Sequence, residues 1–150
     1  MDIRPIMPGF AVAPQIAPQD VTEIAALGFR TLICNRPDDE ADGQPPVAGI
    51  AARARAAGLA FHNLPFSPGN VTADLVEALR DLLSHSETPV LAYCRSGTRS
   101  AALWSLAQAQ TYTPTTLLQM TAGAGYDLSD LRLHLEALHR AASRTDTTKA

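Results

Sequence analysis

Seven consecutive residues, Cys94-Arg95-Ser96-Gly97-Thr98-Arg99-Ser100, place a thiol, two fixed cations and a glycine directly after the apolar run Val90-Leu91-Ala92-Tyr93. A strand that turns at once into a helix leaves backbone N–H groups without intrahelical partners, at the end of the helix that carries partial positive charge. Gly97 admits a backbone conformation that a β-carbon resists. The expected product is a concave nest of donors suited to an anion. A thiol at its base is expected to ionise below the free value of about 8.5. Arg99 can grip an oxyanion with two bonds, and Arg95 adds a second fixed charge. Ser100 is placed to donate to the sulfur. Cys94 and Arg99 are therefore the candidate catalytic residues, and Arg95, Ser96, Gly97, Thr98 and Ser100 the candidate substrate-binding ones. A structural reading, with a buried strand-end cysteine and solvated arginines, fits less well. Two arginines at the start of a helix oppose its dipole.

The elements that must hold this turn alternate along the chain. Short apolar runs at 10–13, 29–35, 60–66 and 90–94 read as strands. Helical patterns fall between and after them: from Pro18 to Leu27, over 47–57, from a Thr72 cap through "ADLVEALRDLLSHS", over 99–110, from Pro114, and over 129–142. This order predicts an α/β fold: one domain, with a central, mainly parallel sheet of about four strands flanked by helices on both faces. Residues 1–150 form that domain, with a core over about 8–142 and a polar tail, 143–150, expected to fray. Ligands of such sheets bind beyond the carboxyl ends of the strands, where Cys94, Asn35, Arg36, Phe66 and Ser67 all fall. Arg36 is thus a further candidate for substrate binding. Cys34 is a buried strand cysteine or a partner thiol for Cys94. Leu103 and Trp104 read as core, and "TAGAGYD" with Tyr126 is either a lid or a plain helix break.

Composition narrows the classes. Apolar residues make up 46% of the chain, enough for an ordinary core, and a net charge of −3 argues against a nucleic-acid surface. No run of 18 apolar residues exists to cross a membrane. The first residues lack a secretory apolar core, so a cytoplasmic location is expected. Two cysteines make no disulfide framework. There is no C-x-x-C, no H-E-x-x-H and no glycine-rich dinucleotide fingerprint, and His62, His85, His134 and His139 are scattered. Neither a cofactor nor a metal is expected.

C-x-x-G-x-R-S after an apolar strand resembles the active loop of rhodanese-type sulfurtransferases. It also resembles a shortened cysteine phosphatase signature, H-C followed by five residues and R-S/T. The wider pattern, "GFRTLICNRPDDE", "AARARAAGLAFHNLPFSPGNVT" and "PVLAYCRSGTRSAALWSLAQA", resembles the family of the beta-lactamase-hydrolase-like protein, phosphatase-like domain, over roughly residues 8–140. The resemblance implies a protein-tyrosine-phosphatase-like fold, with Cys94 as nucleophile and Arg95 to Arg99 as its cradle. Members are described as nonclassical phosphatases or sulfur transferases. Some are fused to persulfide-oxidising domains, which implies a persulfide-oxidising partner enzyme.

Two features weigh sulfur against phosphate. Four residues separate Cys94 from Arg99, one fewer than in the phosphatase signature, so the ring is narrower and lacks one backbone donor. A phosphatase also needs a proton for its leaving oxygen. The Asp that small dual-specificity enzymes carry upstream of the cysteine has no counterpart in "HNLPFSPGN" (62–70). Asp38, Asp39 and Glu40 sit on another strand-end loop from which they could reach across, with Asp38 and Asp39 as the candidate general acids, and Tyr93 stands where the phosphatase histidine would be. Sulfur transfer needs no such acid. The expectation is a sulfurtransferase that forms a persulfide on Cys94. The alternatives are a cysteine phosphatase using the same loop and a noncatalytic anion-binding module. The partner common to all three is a small anion: thiosulfate, a persulfide or a phosphoester.

Overall fold

The computed structural model describes residues 1–143 in full and the backbone to Lys149. Five strands form one sheet: β1 (Arg4–Met7), β2 (Phe10–Ala13), β3 (Thr31–Cys34), β4 (Ala60–Asn63) and β5 (Val90–Tyr93). Their order is β1-β2-β5-β3-β4. β1 runs antiparallel to β2, and every other pair is parallel. The six helices are α1 (Val21–Ala26), α2 (Val47–Ala56), α3 (Ala73–His85), α4 (Thr98–Ala107), α5 (Pro114–Gly123) and α6 (Arg132–Lys149). The tail expected to fray over 143–150 lies, apart from Ser143, outside the fully described residues.

Four expected strands are present, each ending within a few residues of its expected limit. The addition is β1, whose sequence Arg-Pro-Ile-Met buries one side chain of four. Proline cannot donate to a ladder and is tolerated at a sheet edge, which is where β1 lies. Two helices start differently from expectation. Single 3-10 turns, Pro18–Asp20 and Ser129–Leu131, precede α1 and α6. Thr72 caps α3 as expected, its hydroxyl accepting from Leu75 N–H at 3.1 Å.

The chain moves from β2 past β5 to β3 and β4, then returns to β5. Crossovers of one hand place the helices of the outward and return legs on opposite faces. Accordingly α1 and α2 cover one face through Val21, Ile24, Ile50 and Ala54, packed on Leu32, Leu91 and Tyr93. Helices α3 to α6 cover the other through Val76, Trp104, Leu117 and Leu135, packed on Val12, Ile33 and Ala92. Alternate residues of each central strand thus enter different cores, as the two-residue repeat requires. Phe10 stacks on Trp104 with ring centroids 5.4 Å apart, which places Trp104 in the core. Among the described residues no helix is long and apolar enough to cross a membrane.

Register brings the site together. Ala13 pairs with Tyr93, Tyr93 with Cys34 and Cys34 with Asn63. The four parallel strands therefore end level. The residues just beyond them, Gln15, Cys94, Asn35, Arg36 and Leu64, emerge along one edge.

Candidate active site

Cys94 is the first residue beyond β5. Its N–H donates to Ala13 O at 3.4 Å, and the residue is fully buried. The chain turns through Gly97, at φ +95°, into α4, and the Gly97 N–H comes back to Cys94 Sγ at 3.1 Å. The start of the helix thus directs a backbone donor at the sulfur. Ser96 and Thr98 organise the outer side of the turn, with 2.9 Å between their hydroxyl oxygens. Arg95, Ser96 and Thr98 are exposed, and no hydrogen bond or ion pair engages the Arg95 guanidinium among the described residues.

Ser100 does not bond the sulfur. Its hydroxyl is buried and donates to Asn35 Oδ1 at 2.8 Å. Asn35 Nδ2 in turn donates to Leu64 O at 3.0 Å. Ser100 therefore ties α4 to the ends of β3 and β4, a structural role imposed by a neighbour 65 positions earlier. Asn35 is the partner that sequence reading left without a task.

Arg99, the second residue of α4, points back across the strand ends. Its Nη1 donates to Glu40 Oε2 and its Nη2 to Glu40 Oε1, both at 2.8 Å, and Nη1 also reaches Phe66 O at 3.0 Å. Arg36 Nε donates to the same Glu40 Oε1 at 2.9 Å, and Arg36 Nη1 to Gln15 Oε1 at 3.0 Å. These groups are largely out of water: the side chains of Arg36, Arg99 and Glu40 are 5%, 12% and 20% exposed. Two guanidinium charges against one carboxylate leave one net positive charge beside Cys94. Hydrogen bonding from Arg99, opposed by burial and aided by Arg36, lowers the Glu40 carboxyl to about 2. The Arg99 guanidinium is raised, first by its bonds to Glu40 and, beyond the opposing effect of burial, by the Cys94 thiol.

Glu40, rather than either aspartate, reaches the Cys94 turn. Asp38 Oδ1 accepts from Val47 N–H at 2.8 Å and so starts α2. Asp39 is exposed, in the left-handed region at φ +64°. Gln44 braces the loop between them, accepting from Glu40 N–H at 3.0 Å and donating to Pro37 O at 2.8 Å. The polar stretch 36–46 is thus a built loop that presents one carboxylate. A signal for it was available: a glutamate at i+4 from a strand-end arginine.

Cys34 is buried, its thiol donating to Arg36 O at 3.2 Å, and burial raises its pKa above the usual thiol value. Tyr93, which precedes Cys94, has a buried hydroxyl that no oxygen or nitrogen satisfies among the described residues; it faces the Cys34 thiol, a weak hydrogen-bonding group. Burial, with the Cys34 thiol adding to it, raises the phenol well above its ordinary range. Tyr126 approaches the turn from the segment after α5, its hydroxyl donating to Ser96 O at 3.1 Å. No group of three or more metal-binding side chains occurs among the described residues. A cavity of about 690 Å³ runs between β4 and α3, lined by His62, Asp81 and His85, away from Cys94.

What this arrangement can do follows from its parts. It offers a sulfur nucleophile, a helix-start donor directed at that sulfur and a guanidinium held in place by a carboxylate. An incoming anion meets net positive charge and the Gly97 N–H directed at the sulfur. The ionised Glu40 orients Arg99; held in this way, it has no proton to give.

Comparison with known proteins gives a consistent outcome. The model of the beta-lactamase hydrolase-like protein, phosphatase-like domain, matches residues 2–111. The beta-lactamase hydrolase-like protein of Xylella fastidiosa is 32% identical over 108 residues, 72% of this chain and 25% of its own length. The chain spans about a quarter of the length of the curated relatives it matches. A candidate phosphatase from Neisseria meningitidis, solved by crystallography, has a TM-score of 0.82 at 35% identity, covering 92% of this chain and 99% of its own. TpbA of P. aeruginosa, solved in complex with pTyr, has a TM-score of 0.67 at 18% identity, covering 95% and 90%. At that identity the likeness is one of fold. The matched segment holds all five strands and the whole Cys94 turn, and the chain belongs to the family of the beta-lactamase hydrolase-like protein, phosphatase-like domain.

Proposed function

We propose that the chain is a cysteine-dependent phosphoester hydrolase, with Cys94 as nucleophile and Arg99 as the group that holds the phosphoryl oxygens. The observation that carries this reading is the pairing of Cys94 with a carboxylate-held arginine at the mouth of a helix, in a phosphatase-like domain. Cys94 Sγ, as thiolate, attacks phosphorus, and the P–O bond to the leaving group breaks with its electron pair on oxygen. Water then attacks phosphorus, the P–S bond breaks, and inorganic phosphate and the free thiolate result. The loop N–H groups and Arg99 stabilise the charge that spreads over the phosphoryl oxygens. Arg36, through Glu40, adds to the field, and Arg95, Ser96 and Thr98 meet the rest of the substrate.

The carboxylate at this arginine pair is Glu40, which stays ionised down to about pH 2 and cannot protonate a leaving oxygen at neutral pH. The substrates that suit the site are therefore phosphoesters whose leaving oxygen is already stable as an anion, such as aryl phosphates. The aryl oxide then takes its proton from solvent.

One observation favours a second reading. Four residues rather than five lie between Cys94 and Arg99, a ring suited to a single sulfur on the cysteine. In that reading the Cys94 thiolate takes the sulfane sulfur of thiosulfate, sulfite leaves, and a persulfide-oxidising enzyme is the fitting partner. One experiment separates the two. The protein is incubated in turn with p-nitrophenyl phosphate and with thiosulfate, and product release and intact mass are measured for wild type and Cys94→Ser. Hydrolysis lost in the variant, with no sulfur adduct, supports the phosphatase. A one-sulfur adduct on wild type alone, without hydrolysis, transfers the assignment to sulfur. Neither outcome leaves an anion-binding module.

A further inference from the structure

The Ser96–Gly97 peptide is held at both of its polar ends. Its N–H donates to Cys94 Sγ and its carbonyl accepts from Tyr126 Oη, each at 3.1 Å. The two groups of a trans peptide point in opposite directions. A contact that fixes the carbonyl outward therefore fixes the N–H on the sulfur. Without it the unit has a second orientation, because rotation about Ser96 ψ and Gly97 φ exchanges the two groups and glycine accepts either side of φ. The exchanged peptide would place a carbonyl oxygen where the turn must receive an anion.

The tyrosine is itself seated by design of its neighbours. Its ring lies under the Arg4 guanidinium, 5.2 Å from the centroid, and Arg4 Nη1 donates to Ala124 O at 3.3 Å. Tyr126 N–H donates to Thr121 O at 2.9 Å. Two missing β-carbons make the room. A β-carbon on Gly97 would lie 2.1 Å from Tyr126 Oη, and one on Gly125 would lie 2.6 Å from Arg4 Nη1. Burial raises the phenol above its usual value, so it remains a donor throughout the neutral range.

We propose that Tyr126 is a positioning residue: it locks the Ser96–Gly97 peptide with its N–H on Cys94 Sγ, and Arg4 holds Tyr126 in that seat. The inference rests on Cys94 as the reacting thiol. It brings in a residue from beyond the segment 2–111 that the family model matches.

Tyr126→Phe keeps the ring and removes the hydroxyl. Three measurements on the full chain test it: amide hydrogen exchange over Ser96–Arg99, protection of Cys94 from iodoacetamide by inorganic phosphate, and kcat/KM for p-nitrophenyl phosphate. Exchange should quicken, and half-protection should need about five- to tenfold more phosphate, the size expected for one lost hydrogen bond. The value of kcat/KM should fall by a similar factor, with the melting temperature nearly unchanged. Arg4→Gln should shift the same measurements in the same direction, less far. Wild-type exchange and protection in Tyr126→Phe overturn the lock, whatever happens to stability. Absence of turnover in the wild type overturns the hydrolase and leaves exchange and protection to decide the role of Tyr126.

Discussion

Glu40 grips both ends of the Arg99 guanidinium across 59 positions of sequence, Oε2 to Nη1 and Oε1 to Nη2 at 2.8 Å each. A two-point hold fixes the plane of a guanidinium as well as its location. Glu40→Gln keeps the size and loses the charge. Removing the carboxylate raises the net charge beside Cys94 from one to two, so phosphate should protect Cys94 at lower concentration. Loss of the orienting grip should lower kcat about tenfold, the size of a misplaced charged hydrogen bond. Tighter phosphate binding with slower turnover is the expected pair of results; neither changing would mean that Glu40 does not orient Arg99.

The same ion pairs make stability depend on pH in one direction. The Glu40 carboxyl falls from an ordinary value of 4.5 to about 2 in the folded chain. A lowered acid stabilises the fold fully above 4.5 and loses that contribution as pH falls from 4.5 toward 2. The stability gap between wild type and Glu40→Gln, measured by urea denaturation, should be widest near pH 6 and narrow steadily below pH 4.5. A gap constant from pH 6 to pH 3 would contradict the pairing.

Tyr93 carries a buried hydroxyl that, among the described residues, faces the weakly bonding Cys34 thiol and no oxygen or nitrogen partner. An unsatisfied buried polar atom costs about 1–3 kcal/mol and a thiol offsets little of that, so Tyr93→Phe should stabilise the chain by about 1 kcal/mol. For a domain of this length that is a rise of about 3 °C in melting temperature. A fall in melting temperature would show that the contact with the Cys34 thiol satisfies the hydroxyl.

Asp38 starts α2 through its bond to Val47 N–H. Asp38→Ala should cost about 1 kcal/mol of stability, as the loss of a helix-start acceptor does. It should leave kcat for p-nitrophenyl phosphate within twofold. A large loss of kcat confined to alkyl phosphates, with aryl phosphates spared, would instead identify Asp38 as the proton donor.

Local chemistry carried far in this chain. The turn from Cys94 to Ser100, the four parallel strands and the Thr72 cap all follow from neighbours within a few positions. What escaped detection depends on distance. Ser100 is claimed by Asn35, 65 positions earlier, and Arg99 by Glu40, 59 positions earlier. Both partners face the turn because β3 and β5 end in register. β1 was concealed because an edge strand containing proline shows little of the pattern of a buried one. Tyr126 gave no periodic signal at all; its position depends on two glycines in separate loops.

Segment 2–111 contains every residue from Cys94 to Ser100, yet the side chain against which Gly97 is shaped, Tyr126, comes later. A chain trimmed at the end of the shared segment would keep the motif intact and leave Gly97 facing open space. Engineering that transplants or shortens this domain should therefore carry the two C-terminal helices along with the signature, since half of the mould is stored there.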